Sequence, residues 1–413
     1  MSPEERRAFG SRVAQLRKSR GLRQEQLAAT INRTASWVSQ VERGVQPVVR
    51  LDVLQLLADG LGVSVQALRP DAPPPAPPSP SEPDQPNDLD LARLSLSGHP
   101  SLDTLLGPRP QVERVDPAPL TTAVDELWRL THTARFAELS TAISDTLPRL
   151  ERASRTAPSE LRPEIHLLLS QAYQAMAAAF VRQDEPDAAW IAADRAIRAA
   201  EQSAHPLHVF AGIYRLAHAF VRLRRLDQAE HAATNAVAVL TKHITAANPP
   251  SPEALSVLGA LHLVLGLTAA RAGRREQARK ELANARAVAA QLGEDRNDFN
   301  LEFGPTNVEV QAVSTAVDLG DAGEALDLGR QINAERLSPE RRSRLLIDLG
   351  RAHAQRRHLG EALDCLLQAE KLAPESVRSH VAARETIHEL VLIAGRNSPS
   401  ELVKLAKRAN ATG

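Results

Sequence analysis

The sequence predicts an all-α protein, in which a small five-helix N-terminal domain precedes an array of helix pairs. Three observations carry this. Apolar residues recur at the 3.6-residue spacing of amphipathic helices along most of the chain. Phe, Trp and Tyr make up only 3% of the 413 residues, while Ala and Leu dominate, which disfavours strand-rich cores. From residue 186 onward a turn signal followed by a small residue returns at intervals of 37 to 49 residues, the mark of a helical solenoid.

Residues 3–20 read as the first helix, with Phe9, Val13 and Leu16 on its inner face. Residues 24–31 form the second, its inner face Leu27, Ala28 and Ile31. Asn32 stands where the turn requires a residue tolerant of positive φ. Thr34 is placed to cap the third helix, residues 35–43, and Gly44 to stop it. On that helix Val38 and Val41 point one way and Ser36, Ser39, Gln40 and Arg43 the other. Small hydroxyls let a helix approach a DNA major groove, and an amide can pair with adenine. Residues 45–50 form an extended loop. Arg50 opens the helix Leu51–Leu61, where it and the backbone amides can hold a phosphate. Residues 65–68 close a domain of about 70 residues, small but able to keep a core. Residues 1–70 hold eleven Lys and Arg against six Asp and Glu, whereas the whole chain has 50 of each. A basic head on an otherwise acidic chain fits nucleic-acid contact at one end.

Residues 9–68 resemble the helix-turn-helix domain of lambda-repressor-like regulators, the XRE or Cro/CI type. The resemblance is carried by RVAQLRKSRGL, QEQLA, SQVERG and LDVLQLLADGLGVSVQAL. It implies that Thr34, Ala35, Ser36 and Gln40 face the groove, that Gln24 opens the preceding helix, and that Arg17 and Glu42 tie the first helix to the third. It also implies a homodimer on a palindromic double-stranded operator. Trp37 departs from the small or β-branched residue usual there, so it sits half in the core or against sugar and thymine methyl. Ala35 replaces a long polar residue and offers less base readout. The expected DNA-binding set is Gln24, Thr34, Ala35, Ser36, Trp37, Ser39, Gln40, Arg43 and Arg50.

The head spans residues 1–70 and a linker residues 71–88. Nine prolines among residues 70–86 exclude a helix or central strand. As polyproline II the segment spans up to ~50 Å at ~3.1 Å per residue. Residues 89–118 connect to the body. Residues 89–106 are amphipathic but broken at Gly98-His99-Pro100, and are expected to dock on the body or on a partner chain. The body occupies residues 119–413.

In the body, Ala189, Ala229, Ala278, Ala325 and Ala362 each follow a turn. The pattern resembles tetratricopeptide repeats, in which a Leu-Gly pair precedes the turn alanine, with Gly twelve residues before it. Leu265-Gly266 and Leu349-Gly350 fit, and Met176-Ala177 and Leu216-Ala217 fit with Ala for Gly, whereas Ala312-Val313 departs. Small residues let two helices cross closely. Stacked pairs then bury what one pair cannot, and curve into a concave surface. Residues 120–155 read as a degenerate first repeat and residues 375–410 as closing helices.

With the turn alanine as ruler, the resemblance assigns concave-face positions. They are Gln171, Gln174 and Arg182, then Tyr214, His218 and Arg222, then Leu263, Leu267 and Arg271, with Asn307 and Arg351 further on. Arg182, Arg222 and Arg271 share one offset, and aligned guanidiniums suit a carboxylate or other anion. Gln171, Gln174 and Asn307 can bridge a peptide backbone. The expected ligand set is therefore Gln171, Gln174, Arg182, Tyr214, His218, Arg222, Arg271, Asn307 and Arg351, for a peptide or acidic small molecule. The competing reading pairs these arginines with acids of the next repeat, and makes Asn307 a helix cap. Residues 293–304 read as a lid over the groove or as a connection packing Phe299 and Phe303.

One cysteine, Cys365, excludes an internal disulfide framework and fits the cytoplasm. No signal peptide is expected. The apolar run 254–270 contains Ser256, His262 and Thr268 and reads as a buried helix rather than a membrane span. No HExxH, CxxC or phosphate loop occurs, and His205 with His208 lacks a third ligand, so neither catalysis nor a metal or other cofactor is expected. The plan is similar to that of the peptide-sensing RRNPP (quorum-sensing) regulators of Gram-positive bacteria, with an Ala/Arg-rich composition like their actinobacterial relatives. The expectation is a regulator whose repeats dimerise and sense an effector. The alternative is a DNA-tethered scaffold that binds a protein partner.

Overall fold

The computed structural model describes residues 3–31, 35–45, 48, 51–61, 63, 68, 88–98, 115–247, 249–395 and 398–411. It divides into two compact units, Met1–Gln85 and Pro86–Gly413. Among the described residues the secondary structure is helical, apart from one isolated bridge between Arg296 and Phe303.

The first unit contains α1 (Pro3–Ser19), α2 (Gln24–Thr30), α3 (Ala35–Glu42) and α4 (Leu51–Leu61). Phe9, Val13, Leu27, Ile31, Val38 and Leu57 meet in its core. This is the inner face that the helical spacing indicates. Gly44 ends α3 with φ +72°, and a Cβ there would lie 2.9 Å from the Arg7 backbone. Only glycine meets both demands. Leu68 is buried in the same core, but the fifth helix expected around it lies largely outside the described residues, as do Asn32 and Thr34.

The second unit opens with α5 (Asp90–Ser97), followed by six antiparallel pairs. They are α6 (Ala118–His132) with α7 (Phe136–Thr156), α8 (Arg162–Arg182) with α9 (Pro186–Glu201), and α10 (Pro206–Arg222) with α11 (Leu226–Ala246). Then come α12 (Pro252–Arg271) with α13 (Arg275–Leu292), α14 (Pro305–Asp318) with α15 (Ala322–Gly329), and α16 (Pro339–Gln355) with α17 (Leu359–Leu372). Three helices close the unit: α18 (Pro374–Ser379), α19 (Val381–Ala394) and α20 (Ser400–Arg408). α5 docks on this body, where the Ala92 amide donates to Ser140 Oγ of α7 at 3.0 Å and Arg93 pairs with Glu185 at 2.6 Å.

All six pairs turn the same way. Each turn holds one residue at positive φ: Ala134, Asp184, Arg224, Gly273, Gly320 or Arg357. The next residue's N–H bonds to the carbonyl five positions earlier, at 2.8 to 3.0 Å. This satisfies a helix-end carbonyl and reverses the chain. The small residues of the repeat pattern lie at the crossings. A Cβ on Gly266 would be 3.6 Å from the Ala278 carbonyl, and one on Gly350 3.4 Å from that of Ala362.

α12, long and apolar enough to cross a membrane, has 89% of its most apolar window buried inside the unit. Part of that burial comes from Phe303, fully buried, the tip of whose ring lies against Gly259 and leaves no room for a Cβ.

The closing segment returns to the first pairs. Glu375 accepts the amides of Phe136 and Ala137 at the start of α7, and Ser379 Oγ donates to the Arg182 carbonyl at 3.4 Å. Arg182 in turn lies 2.9 Å from Glu340 of α16. The early and late pairs thus touch across the interior of the unit.

Candidate functional site

In the first unit, Arg17 lies against Glu42 through two contacts, Nε–Oε1 at 2.5 Å and Nη2–Oε2 at 3.0 Å. Gln24 Nε2 donates to the same carboxylate at 2.7 Å. Burial opposes ionisation of Glu42, but the hydrogen bonds from Arg17 and Gln24 outweigh it and hold the carboxyl below its ordinary range. One carboxylate therefore joins α1, α2 and the end of α3, and fixes the angle at which α3 is presented.

Val38 and Val41 of α3 are buried, whereas Ser39 and Gln40 are half-buried and Arg43 is exposed. Ala35 and Trp37 are half-buried and pack on the core, so part of their surface is structural. Ser39, Gln40 and Arg43 thus lie off the buried Val38 and Val41 side of α3, and Gln24 is bonded to Glu42. Thr34 and Arg50 lie outside the described residues, as does the Ser36 side chain.

In the second unit the expected ligand residues fall into two cavities. The larger, about 520 Å³, is lined by Arg222, Arg271 and Arg351 together with Asp184, Asp318 and Glu385. The smaller, about 40 Å³, is lined by Arg182, Tyr214, His218 and Asn307. Gln171 and Gln174 line neither. Gln174 is buried and donates to Ser170 at 3.3 Å within its own helix.

Several of these groups already have partners. Arg271 and Arg351 share Asp318, at 3.4 and 2.8 Å, and Arg351 also meets Asp348 at 2.8 Å. Asn307 accepts from Arg341. The row of three equivalent arginines therefore divides. Arg182 and Arg271 pair with acids of later repeats, and Arg222 has no carboxylate partner among the described residues. Its guanidinium reaches only His380, 3.5 Å away.

Residues 297–302 enter the interior rather than covering it from outside. Asn300 Oδ1 accepts from His132 Nε2 at 3.0 Å, and the Asn300 carbonyl accepts from Arg215 at 2.7 Å. Arg341 donates to the Leu301 carbonyl at 2.6 Å and pairs with Glu302 at 2.7 Å. Phe299 meets the His208 ring edge-on at 4.7 Å. Phe299, Asn300 and Glu302 all adopt positive φ, at 53°, 54° and 48°. Three such non-glycine residues in four positions persist only because surrounding contacts enforce them.

The interior is dense in cations. Burial lowers the Arg215 guanidinium to about 10, with Arg182 and Arg341 adding to the effect. Burial, then Arg271 and Arg344, bring Arg222 to about 10. His218 and His380 are held neutral, well below 6.5, by burial and by the surrounding arginines. Burial opposes ionisation of Glu302, yet Arg341 and His132 hold its carboxyl far below the ordinary range.

Sequence reasoning missed Arg215, Arg341, Glu302, Glu340 and His380. Arg215 is adjacent to Tyr214, and a register shift of one hides it. His380 lies in the closing segment, where no repeat rule applies. No group of three or more His, Cys, Asp or Glu is placed to hold a metal among the described residues.

Residues 8–72 match the family model of a helix-turn-helix domain. The first unit therefore carries such a domain. No curated protein matches the chain. Among solved structures the chain is similar to Bacillus thuringiensis PlcR, crystallised in complex with the peptide PapR7 and DNA. That match has 14% identity and a TM-score of 0.38, over 85% of this chain and 98% of that one.

Proposed function

We propose that the chain is a sequence-specific transcriptional regulator. Its helix-turn-helix domain binds a palindromic operator as a homodimer, and its repeat unit senses a small anionic effector, an acidic molecule or peptide. The observation that carries the reading is the face of α3. Ser39, Gln40 and Arg43 lie off its buried Val38 and Val41 side, while Glu42 joins Arg17 and Gln24. A short helix held at a fixed angle, with an amide and a guanidinium on its free side, has the chemistry of base and phosphate contact. The cation-dense interior of the second unit supports an anionic effector. An effector that binds one arrangement of the repeats more tightly shifts the population toward it, and so the affinity for DNA.

The test is selection from a random duplex library with the full chain. An enriched motif with two related half-sites supports the reading, and recovery of no motif overturns it. A second reading, a scaffold that binds a protein partner, draws on Trp190 and Ile191, 48% and 44% exposed on α9. Trp190→Ala leaves operator binding unchanged under either reading, and weakens a captured protein partner only under the second.

A further inference from the structure

We propose that the smaller cavity of the repeat unit is a phosphoryl-binding site, in which Arg215 and Arg344, with a donor from Arg182, receive a dianionic phosphate group. The proposal rests on the effector reading above and names the chemistry of the effector.

Four arginines, Arg182, Arg215, Arg341 and Arg344, line the smaller cavity, and two of them have acid partners. Glu340 takes Arg182 at 2.9 Å and Glu302 takes Arg341 at 2.7 Å. Arg215 and Arg344 have no carboxylate within ion-pairing distance among the described residues. Arg215 is buried and Arg344 half-buried, and charge left unpaired there is costly, so a site that keeps two such cations is built for an anion from outside.

Arg215 Nε and Arg182 Nη1 are buried without a hydrogen-bond partner. Arg215 itself is 6% exposed and held over the Trp128 and Tyr214 rings, at 5.2 and 5.3 Å, so its guanidinium is oriented in advance.

The smaller cavity, about 40 Å³, holds about three waters at ~10–15 Å³ each, or one compact tetrahedral group. A phosphoryl group offers three terminal acceptor oxygens and nearly two charges, whereas a carboxylate has two oxygens in one plane. The larger cavity, which Arg222 lines, takes the rest of a small molecule at about 520 Å³.

Calorimetry on the full chain, at matched ionic strength without DNA, tests this with inorganic phosphate, acetate and glutarate as probes. Phosphate is expected to bind saturably with one equivalent per chain, with acetate and glutarate at least tenfold weaker. Arg215→Met and Arg344→Met are expected to lose at least tenfold in phosphate affinity, and Arg344→Met to melt higher than the wild type when no anion is present, because an unpaired cation has gone. Arg330→Met, on the exposed surface, leaves binding intact. Arg344→Lys provides a folded control and keeps partial binding. Absence of saturable phosphate binding overturns the proposal. So does glutarate binding as tightly as phosphate, or methionine variants that bind phosphate like the wild type. Because no DNA is present, a negative result leaves the operator reading standing, and a chain that recognises no operator can still bind phosphate here.

Discussion

At the scale of the residue, Glu42 decides whether α3 is presented correctly. Its carboxylate takes Arg17 and Gln24 together. Glu42→Gln removes the charge and leaves Arg17 mostly buried with a weaker acceptor. Hydrogen bonds to charged groups contribute about 1.5–3 kcal/mol, and the lower end applies here because the site reaches solvent. Urea unfolding of residues 1–70 should show that loss, and an unchanged midpoint would remove Glu42 from the account. The Arg17–Glu42 pair was legible in the sequence because the family motif names both positions. The cations of the repeat interior were legible only in part. Arg222 is found by its offset from the turn alanine, but nothing local shows that Arg271 would find Asp318, from the next pair, or that Arg222 would find no acid. Such partners depend on how far the superhelix curves.

At the scale of the element, the repeated turn is the unit of construction. In every pair the positive-φ residue lies five positions before the conserved-geometry site that Ala189, Ala229, Ala278, Ala325 and Ala362 occupy. In the first pair that site is Leu139, fully buried, which is why residues 120–155 read as degenerate although the turn at Ala134 is the same. The alanine signal was visible and the turn residue was not, because four of six pairs place Ala, Asp or Arg where glycine is easiest. A left-handed conformation costs a non-glycine residue roughly 1–2 kcal/mol. Arg357 is exposed, so Arg357→Gly should raise the melting temperature with a gain of about 1 kcal/mol. Gly320→Ala should lower it by a similar amount. Calorimetric melting checks both, and equal effects of the two changes would show that this backbone state carries no strain.

At the scale of the whole molecule, the two compact units, Met1–Gln85 and Pro86–Gly413, are expected to unfold independently. Deleting residues 72–86 should leave two independent unfolding transitions, each at its original midpoint. Loss of the repeat transition would move the domain boundary. The repeat unit should also weaken in acid. His218 faces Arg344, Arg215, Arg222 and Arg271, and His380 faces Arg222, Arg344, Arg351 and Arg271. Both histidines are depressed well below the ordinary 6.5, so below about pH 6.5 the unfolded chain takes up protons that the folded one refuses. Stability is therefore fully present above pH 6.5 and falls as the pH drops, by up to ~1.4 kcal/mol per pH unit for each group. Urea midpoints at pH 7.5 and 5.5 measure this, and an equal slope in a His218→Gln, His380→Gln double variant would assign it elsewhere. The all-α class and the paired helices follow from periodicity, which is a local property. The meeting of α18 with α7 and the entry of residues 297–302 into the interior are long-range, and no periodicity encodes them.

The central claim, that the free side of α3 reads sequence, is tested most directly by the affinity of wild type and Gln40→Ala for the selected operator and for a scrambled duplex of equal length. Losing one bidentate base contact costs about 1–3 kcal/mol. The account predicts roughly a tenfold or greater loss on the operator, with the scrambled duplex nearly unchanged. An equal loss on both duplexes, or none on either, would contradict it.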